Sequence, residues 1–214
     1  LVSTKELQKE RTGVTVVNVY GSKMIVEKYY TCKSIIVRFI DTGEVMNTSW
    51  RAFTNGNTKS VNDRSVFGIG YIGKGEYRCW INGKETPQYA AWRAMISRCY
   101  SVKIQNRQPY YKGCTVSDEW HNFQNFAKWY DENYYSIEGE RMHLNKDILV
   151  KGNKVYSSDK CVFVPQRINT LFTGGSASRG SLPIGVSIGE RCNIRPFTAH
   201  CNNGTGRQVR IGYY

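Results

Sequence analysis

Met142-His143-Leu144-Asn145-Lys146-Asp147-Ile148-Leu149-Val150 leads, through the polar turns Lys151-Gly152-Asn153-Lys154 and Ser157-Ser158-Asp159-Lys160, into Cys161-Val162-Phe163-Val164-Pro165. Alternation and β-branched content predict a strand over 142–150 and a short apolar strand over 161–164. Pro165 suits the first position of a helix, where its missing N–H costs nothing, and a short helix is expected over 166–172. The order is strand, loop, strand, helix. On a continuous strand His143 and Asp147 lie four residues apart and face the same way. At ~3.3 Å per residue they stand roughly 13 Å apart, too far to share one metal.

Helical periodicity dominates upstream of this unit. Tyr89, Trp92, Ile96 and Cys99 recur at helical spacing from Pro87 onward, with Arg93 and Arg98 between them. A second helix is expected from Ser117 as N-cap, with Asp118 and Glu119 where the helix dipole favours acids. Its stripe of Trp120, Phe123, Phe126 and Tyr130 reads as core packing. Residues 67–86 contain Gly68-Ile69-Gly70-Tyr71-Ile72-Gly73, formally GxGxxG. A dinucleotide site needs a helix to start there, whereas Glu76-Tyr77-Arg78-Cys79-Trp80-Ile81 reads as a strand and Asn82-Gly83 as a hairpin turn. The segment is therefore expected to be a glycine-rich link. Residues 1–66 read as a small β module, with Ser34-Ile35-Ile36-Val37-Arg38-Phe39-Ile40 as its clearest strand.

Downstream, 173–181 is rich in Gly and Ser and reads as a flexible linker. Three further strands are expected over 184–189, 196–201 and 208–213. Arg191, Arg195, Arg207 and Arg210 cluster there against Glu190 alone, and arginines on a small sheet suit phosphates and guanine edges. The expected fold class is thus α+β: a small N-terminal β module, a central ββα unit with preceding helices (87–172), and a C-terminal three-stranded sheet (182–214).

Charge narrows the partner. The 214 residues carry 30 Lys+Arg against 17 Asp+Glu, a formal net charge of +13. A polyanion is the simplest partner, because displacing condensed counterions from nucleic acid drives association. Hydrophobic residues make up 40% and charged residues 22%, a globular composition. No apolar run is long enough to span a membrane, and no secretory leader pattern is present. The first residue is Leu1 rather than Met, so a preceding segment is expected. The seven cysteines are scattered without a CxxC pair, which favours buried thiols in a reducing compartment over disulfides or zinc. A long-range zinc site from Cys99, Cys114 and Cys161 is the lesser alternative.

Two resemblances sharpen these expectations. Trp92-Arg93-Ala94-Met95-Ile96-Ser97-Arg98-Cys99-Tyr100, Tyr111-Lys112-Gly113-Cys114-Thr115-Val116, Trp120-His121-Asn122-Phe123, Leu144-Asn145-Lys146-Asp147-Ile148-Leu149 and Cys161-Val162-Phe163-Val164-Pro165, up to Asn169, resemble bacteriophage proteins of the HNH homing-endonuclease group. Ile184-Gly185-Val186-Ser187, Phe197-Thr198-Ala199-His200 and Val209-Arg210-Ile211-Gly212-Tyr213 resemble the start of an APETALA-type (ethylene-response-factor) DNA-binding domain.

The first resemblance implies a metal-dependent DNA endonuclease. Its ββα unit would use one Mg²⁺ (or Mn²⁺) to polarise the scissile phosphate. Carried over by position, it implies Asp147, Lys146 and His143 as catalytic residues and Asp147 and Asn169 as metal ligands. The second, with the charge pattern, implies DNA contacts from Arg191, Arg195, Arg207 and Arg210, and Lys151, Lys154 and Arg167 of the central unit are further expected DNA contacts. Double-stranded DNA is the expected partner, and the cytoplasm of a phage-infected bacterium the expected location. No His stands at the base position itself, so a DNA-binding protein on the same fold without cleavage is the competing expectation; His121 is a further candidate, and RNA binding through exposed aromatics is a more distant one.

Overall fold

Ser3 and Glu6 form a capping box that starts the first helix, α1 (Thr4–Arg11): the Ser3 hydroxyl accepts from the Glu6 N–H and the Glu6 carboxylate accepts from the Ser3 N–H. The computed structural model describes residues 3–172, 182–183, 185–188, 196–202 and 207–213. After α1 come β1 (Thr15–Val17), β2 (Lys23–Thr31), β3 (Ser34–Phe39) and β4 (Val45–Thr48), an antiparallel sheet in sequence order. Alternation along β3 sends Ile35, Val37 and Phe39 to one face, where Met24, Val26 and Tyr29 of β2 join them. The short helix α2 (Trp50–Thr54) closes this core with Phe53. Polar ties complete the module. The buried Asp63 carboxylate accepts from Asn18 Nδ2 at 2.6 Å, the Ser60 N–H at 2.7 Å and the Ser22 hydroxyl at 2.5 Å.

The glycine-rich segment expected as a link is instead laid along the central helices. The Tyr71 N–H donates to the His121 carbonyl at 2.9 Å, and the Phe123 N–H donates to the Tyr71 carbonyl at 3.0 Å. Gln124 holds the same segment through Ile72 and Tyr77. Gly73 shows why glycine is needed: its φ is +73°, and a Cβ there would come within 2.1 Å of Asn122 Oδ1. Only Trp80–Ile81 (β5) forms a strand from the expected 76–81 run. It pairs with β6 (Lys84–Glu85) across Asn82-Gly83, both at positive φ, the expected hairpin turn.

The central unit follows as α3 (Pro87–Tyr100), α4 (Val102–Arg107), a 3-10 turn (Pro109–Tyr111), β7 (Thr115–Val116), α5 (Asp118–His121) and α6 (Phe123–Asn133). The helix expected from Ser117 is thus two helices. Asn122 leaves helical geometry and its side chain accepts from the Gln124 N–H, capping α6 afresh. Then come β8 (Met142–Asn145), β9 (Val155–Tyr156), β10 (Val162–Pro165) and α7 (Gln166–Phe172). β8 pairs antiparallel with β10, and β9 pairs parallel with β7. One apolar cluster unites Trp92, Met95 and Ile96 of α3 with Trp120, Phe123 and Phe126, and with Tyr156 and Phe163 from the strands. Last come β11 (Val186–Ile188), β12 (Phe197–Asn202) and β13 (Gln208–Tyr213), an antiparallel sheet close to the expected bounds. The chain is therefore a mixed α and β protein with several small sheets. Among the described residues no helix is long and apolar enough to cross a membrane.

The N-terminal sheet closes its core with one aromatic ring. Phe53→Ala should destabilise the module by about 3–5 kcal/mol, the usual cost of emptying a fully buried Phe site. Denaturant melts of wild type and variant would measure it.

Candidate functional site

β8, β10 and α7 form a strand–strand–helix unit, with α7 packed against both strands. Two expectations are corrected here. The strand predicted over 142–150 stops at Asn145, because the Asn145 side-chain oxygen takes the N–H groups of Asp147 (2.7 Å) and Ile148 (2.8 Å) and bends the chain out of the ladder. His143 and Asp147 are therefore not on one strand face. Pro165 is the last residue of β10, paired with Met142, and α7 begins at Gln166.

What the unit brings together is His143, Asn145 and Asn169. Asn145 Nδ2 donates to Asn169 Oδ1 at 2.5 Å, and Asn169 Nδ2 lies 3.2 Å from His143 Nδ1. His143 and Asn145 are two apart on β8 and so share a face. The expected pair Asp147 and Asn169 is not joined by a hydrogen bond. Both Asp147 oxygens accept from Lys146 Nζ at 2.7 Å. Lys146, expected to be catalytic, is buried. Its ammonium also donates to the Asn153 carbonyl at 2.8 Å and lies over the Tyr156 ring, so it braces the 146–156 loop.

Arg98 of α3 reaches the same region. Its half-buried guanidinium engages the Tyr156 hydroxyl and lies 5.7 Å from the centre of the Tyr111 ring. It has no carboxylate partner among the described residues. It is close enough to His143 for its charge to matter: burial first, then Arg141 and Arg98, hold the imidazole below its ordinary value. The neutral imidazole is thereby favoured.

A hard divalent cation needs several oxygen donors aimed at one point. Here the Asn145 and Asn169 oxygens accept hydrogen bonds, and the Asp147 carboxylate is held by Lys146. Among the described residues, no three His, Cys, Asp or Glu side chains are grouped to hold a metal. The residues as arranged do not fit the Mg²⁺ or Mn²⁺ ion that the resemblance implies. His121 is elsewhere, on α5, with its ring edge against Tyr100 and Nδ1 3.5 Å from Asp118. Cys99, Cys114 and Cys161 are buried in the central core as free thiols.

The basic residues expected on DNA divide into three groups. Lys151 is exposed, Lys154 donates to the Tyr110 carbonyl at 3.0 Å, and Arg167 pairs with Glu140 at 2.9 Å. Arg207 and Arg210 are exposed, and the Arg210 guanidinium hydrogen-bonds the Tyr213 hydroxyl and covers its ring. Arg191 and Arg195, with the expected linker 173–181, lie outside the described residues. Register separates the two faces of the C-terminal sheet. Ser187, Thr198, His200, Gln208 and Arg210 share one; Val186, Ile188, Phe197 and Val209 share the other.

Asn145 and Arg98 are not among the site residues that the sequence leads one to expect. The His143-Leu144-Asn145 spacing carries the signal for Asn145, since an offset of two keeps both side chains on one strand face. Nothing local singled out Arg98 from the other basic residues of its helix. No protein-family model matches the chain, and no curated protein or solved structure matches it either.

Burial pushes the Cys99 and Cys161 thiols up to about 12, so almost no thiolate exists at pH 8. A thiol reagent added to native protein at that pH should label exposed Cys32 and Cys201 rapidly. Cys99 and Cys161 should react only on unfolding; fast labelling of either in the native state would contradict this packing.

Proposed function

We propose that this protein binds duplex DNA, and that its β8–β10–α7 unit engages the phosphodiester backbone without cutting it. One observation carries the proposal: the strand–strand–helix unit, in a chain of net charge +13, brings His143 together with the Asn145 and Asn169 amides, while the Asp147 carboxylate is held by Lys146. The charge supplies the affinity through counterion release. The polar face of the C-terminal sheet, with Arg210, supplies a second contact, and side chains on such a face suit groove edges and phosphates. The HNH and APETALA-type resemblances support the same partner, in a phage-infected bacterial cytoplasm.

Endonuclease cleavage is the second reading, and a specific observation favours it. His143 is partly exposed on β8, beside Asn169 of α7, where a scissile phosphate could be met. With Mg²⁺ or Mn²⁺, cleavage would require the Asn145–Asn169 bond to open or Asp147 to leave Lys146.

Fluorescence anisotropy with duplex DNA should show affinity falling linearly with salt on logarithmic axes. Arg210→Ala should reduce the salt slope by about one. Supercoiled plasmid incubated with Mg²⁺ or Mn²⁺ should stay supercoiled. Nicked product that disappears in His143→Ala would establish cleavage instead, and a stronger preference for structured RNA in competition would replace DNA as the partner.

A further inference from the structure

The hydrogen bonds at this centre have a direction, and the backbone sets it. The N–H groups of Asp147 and Ile148 can only donate, so the Asn145 atom that they meet is its oxygen. The Asn145 amide nitrogen therefore faces Asn169 and donates to Oδ1. That leaves the Asn169 nitrogen against His143, where it donates to Nδ1. An imidazole whose Nδ1 accepts carries its proton on Nε2 when neutral. His143 Nε2 is not among the buried polar atoms left without a partner, and none of the described residues hydrogen-bonds to it.

We infer that the relay from the turn through Asn145 and Asn169 locks His143 as an Nε2–H donor, and that this N–H receives a DNA phosphodiester oxygen. The second half rests on the DNA-binding proposal above; the first does not. His143 is partly exposed, and an N–H donor reached by solvent is matched to a phosphate oxygen. A general base would need the opposite tautomer, with the Nε2 lone pair free. Asn145 is accordingly a positioning residue. A carboxylate at 145 would accept from both the turn and Asn169. Asn169 would then rotate, and its oxygen would accept from a His143 Nδ1–H.

Two measurements test this on the full chain. Long-range ¹H–¹⁵N correlation spectra at neutral pH, with ¹⁵N-labelled histidine, report which ring nitrogen carries the proton. Wild type should show the Nε2–H form at His143, and Asn145→Asp should convert it to Nδ1–H. A wild-type Nδ1–H form, or no change in the variant, overturns the relay. For the phosphate contact, His143→Ala and the milder His143→Gln are titrated against duplex DNA. The Ala variant should lose about ten- to hundredfold in affinity, the usual worth of a hydrogen bond to a charged group. Unchanged affinity in folded His143→Ala overturns the phosphate contact. Wild type that fails to bind DNA overturns the DNA-binding proposal and the contact, while the tautomer result stands by itself.

Discussion

A single amide oxygen orders the centre of this molecule. By accepting two backbone N–H groups, Asn145 ends β8, turns the chain toward the Lys146–Asp147 pair and fixes which of its own atoms faces α7. Every later assignment follows from that orientation. Asn169 must present its oxygen to Asn145 and its nitrogen to His143, and His143 must carry its proton on the far side of the ring. The constraint is chemical rather than steric, because backbone donors cannot reverse roles.

The aromatic core holds this unit against the helices. Phe163 of β10 packs against Trp129, Tyr130 and Tyr134, so the strand that carries α7 is pinned to α6 and its C-terminal flank. Tyr156 of β9 is buried between two cations, with Arg98 on its hydroxyl and Lys146 over its ring. That shared tyrosine couples α3 to the loop after β8. It also explains how a guanidinium on a helix comes to stand near a histidine some forty-five positions later in the chain.

Much of the fold is legible in the sequence where periodicity is strong. The helix from Pro87, the strand after Ser34 and the three C-terminal strands follow from helical spacing, alternation and turn residues, and all of them form. The readings that failed did so where a side chain competes with the backbone. Asn145 stops a strand and Asn122 splits a helix, each by capturing neighbouring N–H groups. Gly70 and Gly73 suggested a loose link because glycine permits both a free turn and a close approach. Tertiary contact with Trp92 and Asn122 decides for the approach. Of the candidate site, His143 and Asn169 are named by the sequence and lie in contact. Asp147 drew attention as an acid, but its neighbour Lys146 claims both oxygens.

The proposed partner is the nucleic-acid backbone, met at His143. The structure of the full chain bound to a DNA duplex tests that contact most directly. The account predicts a phosphate oxygen within hydrogen-bond distance of His143 Nε2. A duplex seated elsewhere, with that nitrogen facing water, would contradict it.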